Sequence, residues 1–283
     1  MNILTFDIEE WFHLLDNAST RTEKEWNSFE SRIHLNIERI LQQLECHKAK
    51  ATFFCVGWIA EKYPEVIQQI LSHGHEIGSH TRMHQLVYTQ DPIEFRQDVE
   101  HSIKTLQDIS GKEIKYFRAP GFSITERNKW AFEILYNLGI EIDSSVFPAA
   151  RAHGGFPSYK EAKPSFIQYN DIQLKEMPIS SITMFKKSII FSGGGYFRLF
   201  PYSLVKKWTT ASPYMMTYLH PRDFDPDQPV IDDLSAIRKF KSYVGIKGAE
   251  KKLNRWLEDF KFIDIQTADN MIDWEQVPVV NLN

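Results

Sequence analysis

Ala51-Thr52-Phe53-Phe54-Cys55-Val56-Gly57 is a short, uninterrupted apolar run, the pattern of a strand buried on both faces. A second run, Ile3 to Ile8, precedes it and ends in acidic residues. Between the two, Ile33, Ile37, Ile40, Leu41 and Leu44 recur at helical spacing, so the opening predicts strand, helix, strand. The alternation continues. Val66, Ile67, Ile70 and Leu71 mark a helix starting near Pro64, and His75 to Ser79 reads as a strand. Phe95, Val99, Ile103 and Leu106 mark the next helix, and Lys115 to Ala119 the strand after it. A helix is expected from Thr125, a good N-cap, to Leu138, stopped by Gly139 and followed by a strand over Ile140 to Ser144. Such alternation implies an α/β fold around a mostly parallel sheet. At 283 residues it fits either an open doubly wound sheet or a closed barrel.

Past residue 150 the rhythm loosens. Arg151 to Ser165, rich in Gly, Pro, Ala and Lys, reads as a long loop over the mouth of the fold. Gln173 to Met177, Ile189 to Phe191 and Tyr214 to Leu219 read as strands, and Asp232 to Phe262 as one or two amphipathic helices. No repeat or linker divides the chain, so a single domain over 1–283 is expected, with a helical extension from about residue 230.

Composition narrows the function. With 42% hydrophobic and 25% charged residues the chain is an ordinary globular one. A net charge of −4 and a pI near 6.2 argue against a nucleic-acid partner, which calls for a basic face. No window approaches the ~20 apolar residues of a spanning helix. The N-terminus lacks the basic lead and apolar stretch of a secretory signal. A cytoplasmic protein without an integral membrane segment is the expectation. Cys46 and Cys55, nine positions apart, make neither a disulfide framework nor a zinc pattern, and Cys55 reads as a buried, inert thiol.

Four groups of chemically active residues fall at strand ends. Asp7-Ile8-Glu9-Glu10-Trp11 closes the first strand with three carboxylates; so close together inside a protein they repel unless a cation or a shared proton relieves them. Ser79-His80-Thr81-Arg82-Met83-His84 follows another strand, and its HxxxH spacing predicts two imidazoles on one face of a helical turn. Two histidines and one acid suit zinc and other transition metals with positions left open. Arg118, in Tyr116-Phe117-Arg118-Ala119-Pro120-Gly121, can hold a carboxylate ionised or make a structural salt bridge. His220, in Tyr218-Leu219-His220-Pro221, ends a late strand and suits proton transfer if it lies near the metal. In parallel α/β sheets such C-terminal strand ends converge on one site. Together they make a toolkit for amide hydrolysis.

These motifs resemble, over roughly Ile3 to Pro226, the ordered motifs of the polysaccharide deacetylase family, the NodB-like carbohydrate esterases. The first motif departs from the family's adjacent aspartates and looks like the branch related to intracellular peptidoglycan-deacetylase-like and allantoinase-like members. The resemblance implies a distorted (β/α) barrel, often of seven strands, and a divalent metal, zinc above all, held by Glu9, His80 and His84, with Glu10 as a rival ligand. It implies removal of an N-acetyl group from a carbohydrate by attack of metal-bound water. Asp7 would be the general base, Arg118 would orient it, and His220 would protonate the leaving amine. On the substrate side it suggests Pro120, Ser145 near the oxyanion, and Gly194 and Tyr196 in Ser192-Gly193-Gly194-Gly195-Tyr196-Phe197-Arg198, a loop that could meet a nucleotide or lipid diphosphate carrier. Trp11 is a candidate for stacking on sugar rings. Association into homo-oligomers is implied as well. The alternative is a metal-independent C–N hydrolase acting on a cyclic amide or ureide, against which the retention of both histidines speaks.

Overall fold

The apolar runs of the first half lie side by side in the computed structural model, which describes residues 1–149, 154–159, 162–184 and 187–283. Strands β1 (Asn2–Ile3), β2 (Thr5–Ile8), β3 (Thr52–Cys55), β4 (Glu76–Ser79), β5 (Tyr116–Phe117) and β6 (Ile142–Asp143) alternate with helices α1 (Glu23–Trp26), α2 (Ile33–Cys46), α3 (Gly57–Lys62), α4 (Pro64–Ser72), α5 (Pro92–Ser110) and α6 (Trp130–Asn137). The second half adds β7 (Ser165–Tyr169), β8 (Ile172–Glu176), β9 (Ile182–Met184), β10 (Lys187–Ile189), α7 (Gly194–Leu199), α8 (Tyr202–Ala211) and β11 (Met215–Met216). Helices α9 (Ala236–Tyr243), α10 (Ile246–Asp259) and α11 (Ile265–Met271) and strand β12 (Val279–Asn281) complete it. Part of the expected Arg151 to Ser165 loop, residues 151–153 and 160–161, lies outside the described residues.

The main sheet has eight strands in the order β12-β7-β8-β6-β5-β4-β3-β2. Its neighbours are parallel throughout except β7 with β8. β11 lies parallel to β1, a bridge from Phe6 to Leu219 carries it on beside β2, and another joins Gly193 to Tyr218. The α/β array expected from the alternation is present. The expected seven-stranded barrel is not closed by a main-chain ladder among the described residues. After β8 the chain meets Pro178, which has no N–H to extend a ladder. A side chain crosses the gap instead: Ser180 Oγ accepts the Met216 N–H at 2.7 Å.

One further expectation shifts. The helix predicted from Thr125 begins at Trp130, because Thr125 closes a turn, its N–H and hydroxyl both donating to Asn128 Oδ1 at 2.7 and 2.6 Å. Gly139 does end that helix, with φ at +84°. Cys55 is buried as expected, and burial pushes its thiol up out of the reactive range. One apolar core joins both halves: Phe6 and Phe53 from the first share it with Leu219, Phe224 and Trp256 from the second.

At the end of the sheet that opens β4, Glu76 accepts the Thr52 hydroxyl at 2.6 Å and the Gln266 N–H at 3.2 Å, tying β3 and β4 to the first turn of α11. Burial, with the Asp264 charge nearby, pushes its carboxyl up to about 7. A raised carboxyl holds its proton more tightly when folded, so its stabilising contribution is full below the ordinary value near 4.5 and is lost as pH rises through about 7. Thermal unfolding should therefore show a loss on the order of 1–2 kcal/mol between about pH 5 and 8, allowing for partial exposure. Glu76→Gln should flatten it; an unchanged slope in that variant would refute the assignment.

Candidate active site

Alternation along β2 puts Thr5 and Asp7 on one face, and Glu9, two residues on, continues it. Arg118, leaving β5, spans this face from within the protein at 0% exposure. Its Nη1 donates to Asp7 Oδ1 at 2.6 Å and to Thr5 Oγ1 at 2.8 Å. Its Nε and Nη2 donate to the carbonyl and hydroxyl of Ser144 at 3.3 and 3.1 Å, and the guanidinium lies 4.2 Å from the Phe54 ring centre. The second oxygen of Asp7 is left facing His220, whose Nε2 stands 3.9 Å from Oδ2.

Glu9 Oε1 is the meeting point of the histidines. His80 Nε2 lies 3.2 Å and His84 Nε2 2.9 Å from it, and the three ligand atoms fall within 4.8 Å of one another. Burial pushes the Glu9 carboxyl up, but the charges of His84 and His220 and the hydrogen bonds from His80 and His84 hold it well below the usual range. His80 Nδ1 is 2.6 Å from the Arg118 carbonyl, which can only accept, so that nitrogen carries the hydrogen and Nε2 keeps its lone pair in the neutral ring. A buried carboxylate facing two imidazole nitrogens, that of His80 oriented in this way, is a donor set suited to a divalent transition metal ion. A second group, Asp7, Glu9 and His220, meets the same spacing beside it.

The HxxxH segment reaches this geometry differently from the predicted helical turn. Residues 80–86 form no helix; Thr81 and His84 take φ of +63° and +51°, left-handed values that are costly for non-glycine residues. The turn they create swings His84 back toward His80.

His220 follows β11 at the mouth. Its Nδ1 is 3.2 Å from Asp223 Oδ2, and Arg198 Nε is 2.9 Å from Asp223 Oδ1. Burial pulls the imidazole down, but Glu9, Asp223 and Asp7 together raise it to about 9, so it is cationic at neutral pH. Asp223 and Arg198 escaped sequence reasoning as functional candidates. The faint signal was the i+3 acid after His220, which also accepts the His220 N–H at 2.9 Å.

The rival acid Glu10 points elsewhere. Its carboxylate accepts the Ser31 hydroxyl at 2.5 Å and the N–H groups of Arg32 and Ile33 at 3.0 and 3.2 Å, capping the start of α2. Glu10→Ala is expected to cost about 0.5–2 kcal/mol of stability, as lost caps do, and to leave zinc affinity within about twofold. Glu9→Ala should abolish tight zinc binding; equal losses in both variants on calorimetric titration would contradict this division.

The substrate-side candidates divide. Trp11, expected to stack on sugars, is 3% exposed; it packs on Phe12 and Phe29 and donates its indole N–H to the Glu30 carbonyl at 2.9 Å. Ser145, expected near the oxyanion, has its own N–H committed to Asp143 Oδ2 at 3.2 Å and its hydroxyl to Asp143 Oδ1 at 2.6 Å. Asp143 pairs in register with Glu176 on β8, and burial followed by the Asp143 charge pushes the Glu176 carboxyl well up. Pro120 is buried in the turn after Arg118. The glycine run is explained by close packing: a Cβ at Gly193 would lie 2.0 Å from the Tyr218 carbonyl oxygen, and Gly194, at φ +51°, lies against the Tyr218 ring. Tyr196 alone of this group is exposed, at 39%.

A parallel α/β sheet whose strand ends gather an acid, two histidines, an arginine and a late histidine defines a protein with the fold of the carbohydrate esterase family 4 deacetylases. A candidate polysaccharide deacetylase from Mycobacterium smegmatis superposes with a TM-score of 0.68 at 17% identity, covering 98% of this chain and 91% of that one. A CE4 family pseudoenzyme from Bacillus anthracis superposes at 0.52 and 12% identity, covering 94% and 64%. Residues 18–141 match the polysaccharide deacetylase family model, and residues 144–270 a domain of unknown function, DUF3473. Among curated proteins, the peptidoglycan-N-acetylglucosamine deacetylase of Bacillus cereus is 36% identical over 96 residues, 34% of this chain and 35% of that one. The chitooligosaccharide deacetylase of Azorhizobium caulinodans is 34% identical over 82 residues, 29% and 39% of the two chains. The matched stretch thus spans little more than a third of these relatives' length. The first half of this chain thus resembles the polysaccharide deacetylase family, and its fold is like that of the solved structures named here.

Proposed function

We propose that this protein is a carbohydrate de-N-acetylase, a hydrolase that releases acetate from an N-acetylated sugar with the help of a divalent ion, zinc by preference, held by Glu9, His80 and His84. The observation that carries the reading is the convergence of both histidine Nε2 atoms on Glu9 Oε1, directly beside an Arg118-bound Asp7 and a cationic His220. A divalent ion there supplies Lewis acidity for water activation and for the acetamide carbonyl. The chain's own residues do the rest. Asp7, bound by Arg118 through Oδ1, offers Oδ2 to accept the proton of the attacking water. His220, held by Asp223 and protonated at neutral pH, donates its Nε2 proton to the departing amine.

Among the described residues no helix is long and apolar enough to cross a membrane. The relatives named above act, by their names, on peptidoglycan and chitooligosaccharides, which supports an N-acetylglucosamine-type substrate here. The test is acetate release from a panel of N-acetylated oligosaccharides and sugar nucleotides by the chelated protein, with and without added zinc, beside His80→Ala. Zinc-restored release by the wild type alone is expected. Release that survives chelation would refute the metal-dependent mechanism, and no release from any of them would favour the metal-independent ureide-type alternative.

A further inference from the structure

The two imidazoles face one oxygen only because the turn between them adopts an unfavourable backbone, and something outside the turn must hold it there. Three elements do so. From the strand side, the Ser79 hydroxyl donates to Ser102 Oγ on α5 at 2.9 Å. From the start of α3, the Gly57 and Trp58 N–H groups donate to the Thr81 and Arg82 carbonyls at 2.8 and 3.0 Å. From α5, Asp98 holds two of the turn's own donors: its Oδ2 accepts the Arg82 N–H at 2.7 Å and its Oδ1 the Met83 N–H at 3.0 Å. Both N–H groups sit between Thr81 and His84, the residues with left-handed φ. No helix or sheet partner serves them, so without Asp98 they would be left unpaired or wetted, and the turn would lose its main reason to close.

We propose that Asp98, which touches neither histidine, is a positioning residue for the pair: by binding the Arg82 and Met83 N–H groups, its carboxylate fixes the turn that sets His84 opposite His80 and so tunes the site's affinity for a divalent ion. This rests on the metal-site reading for its consequence, and on the hydrogen bonds alone for its structural half. The carboxylate suits this task because each of its two oxygens serves one N–H. Asparagine has one such oxygen, so Asp98→Asn keeps half the clamp, and Asp98→Ala keeps none.

The experiment compares wild type, Asp98→Asn, Asp98→Ala and Val99→Ala, the last a buried neighbour on the same helix whose truncation loosens α5 without touching the turn. Zinc affinity of the chelated protein is measured by competition with a chromophoric chelator, beside thermal unfolding of the metal-free forms. Asp98→Ala should bind zinc about 10–100-fold more weakly, the usual effect of losing an outer-shell partner, with Asp98→Asn between it and wild type. Val99→Ala should unfold earlier yet keep wild-type affinity. Equal affinity in Asp98→Ala, or an equal loss in Val99→Ala, would overturn the proposal. Amide hydrogen exchange without metal gives an independent reading. The Arg82 and Met83 amides should be protected in wild type and exchange at least tenfold faster in Asp98→Ala. Should wild type bind no zinc, the metal reading fails by itself, and unchanged exchange at these two amides would then overturn the clamp as well.

Discussion

Arg118→Ala will lower the folding stability of this protein by about 3–5 kcal/mol, the loss typical of breaking a buried ion pair from one side. The guanidinium is fully enclosed, bonds Asp7, Thr5 and both polar groups of Ser144, and stacks on Phe54. Removing it strands the Asp7 carboxylate in the interior and leaves the Ser144 carbonyl one donor short. Arg118→Lys recovers little, because one ammonium on a flexible stem cannot serve acceptors on β2 and after β6 together. Urea unfolding of the metal-free protein measures the difference. A loss below about 1 kcal/mol would mean that the cavity rehydrates and the pair is not what organises the interior.

Asp7→Asn tests the chemistry rather than the scaffold. The amide oxygen of asparagine can still accept from Arg118, so the chain should still fold, although the buried guanidinium loses its counter-charge and some stability with it. Glu9, His80 and His84 are untouched, so zinc affinity should change little. What disappears is a base facing the mouth, and kcat for acetate release should fall by about 10²–10⁴-fold, the usual worth of a positioned general base, with KM nearly unchanged. Retention of kcat within tenfold would move the proton-accepting role to another group, and Glu9, 3.8 Å from His220 Nε2, would be the first to examine.

The first half of the fold was legible because each strand is a short apolar run and each helix shows a 3.6-residue stripe, both local signals. The second half was less so. β7 follows directly on the expected loop, over residues for which no strand was expected, and α7 begins in a glycine run whose packing against Tyr218 no local pattern announces. The strand-end groups could be found one by one, but their partners could not. Glu9 and Glu10 differ only in what lies opposite, which for Glu10 is the start of α2 more than twenty residues on. The HxxxH spacing suggested a helical turn because helical backbone is the default for such a segment; tertiary bonds from α3 and α5 override it here. Trp11 shows the reverse error, an aromatic beside acids that belongs to the core.

The strand pairing that sets His220 beside Asp7 also decides when in folding the site can exist. The Thr5 N–H meets Thr217 Oγ1 at 2.7 Å across 212 residues of chain, and the Asp7 N–H meets the Leu219 carbonyl at 2.8 Å. Closing a loop that long is entropically costly and slow compared with forming the local strand–helix units of the first half. A partly synthesised chain can bring Asp7, Glu9, His80, His84 and Arg118 together while still lacking its acid. The proposed reaction would thereby wait until the chain has been made and folded through His220, and recovery of turnover on refolding would report this long-range contact rather than the local ones.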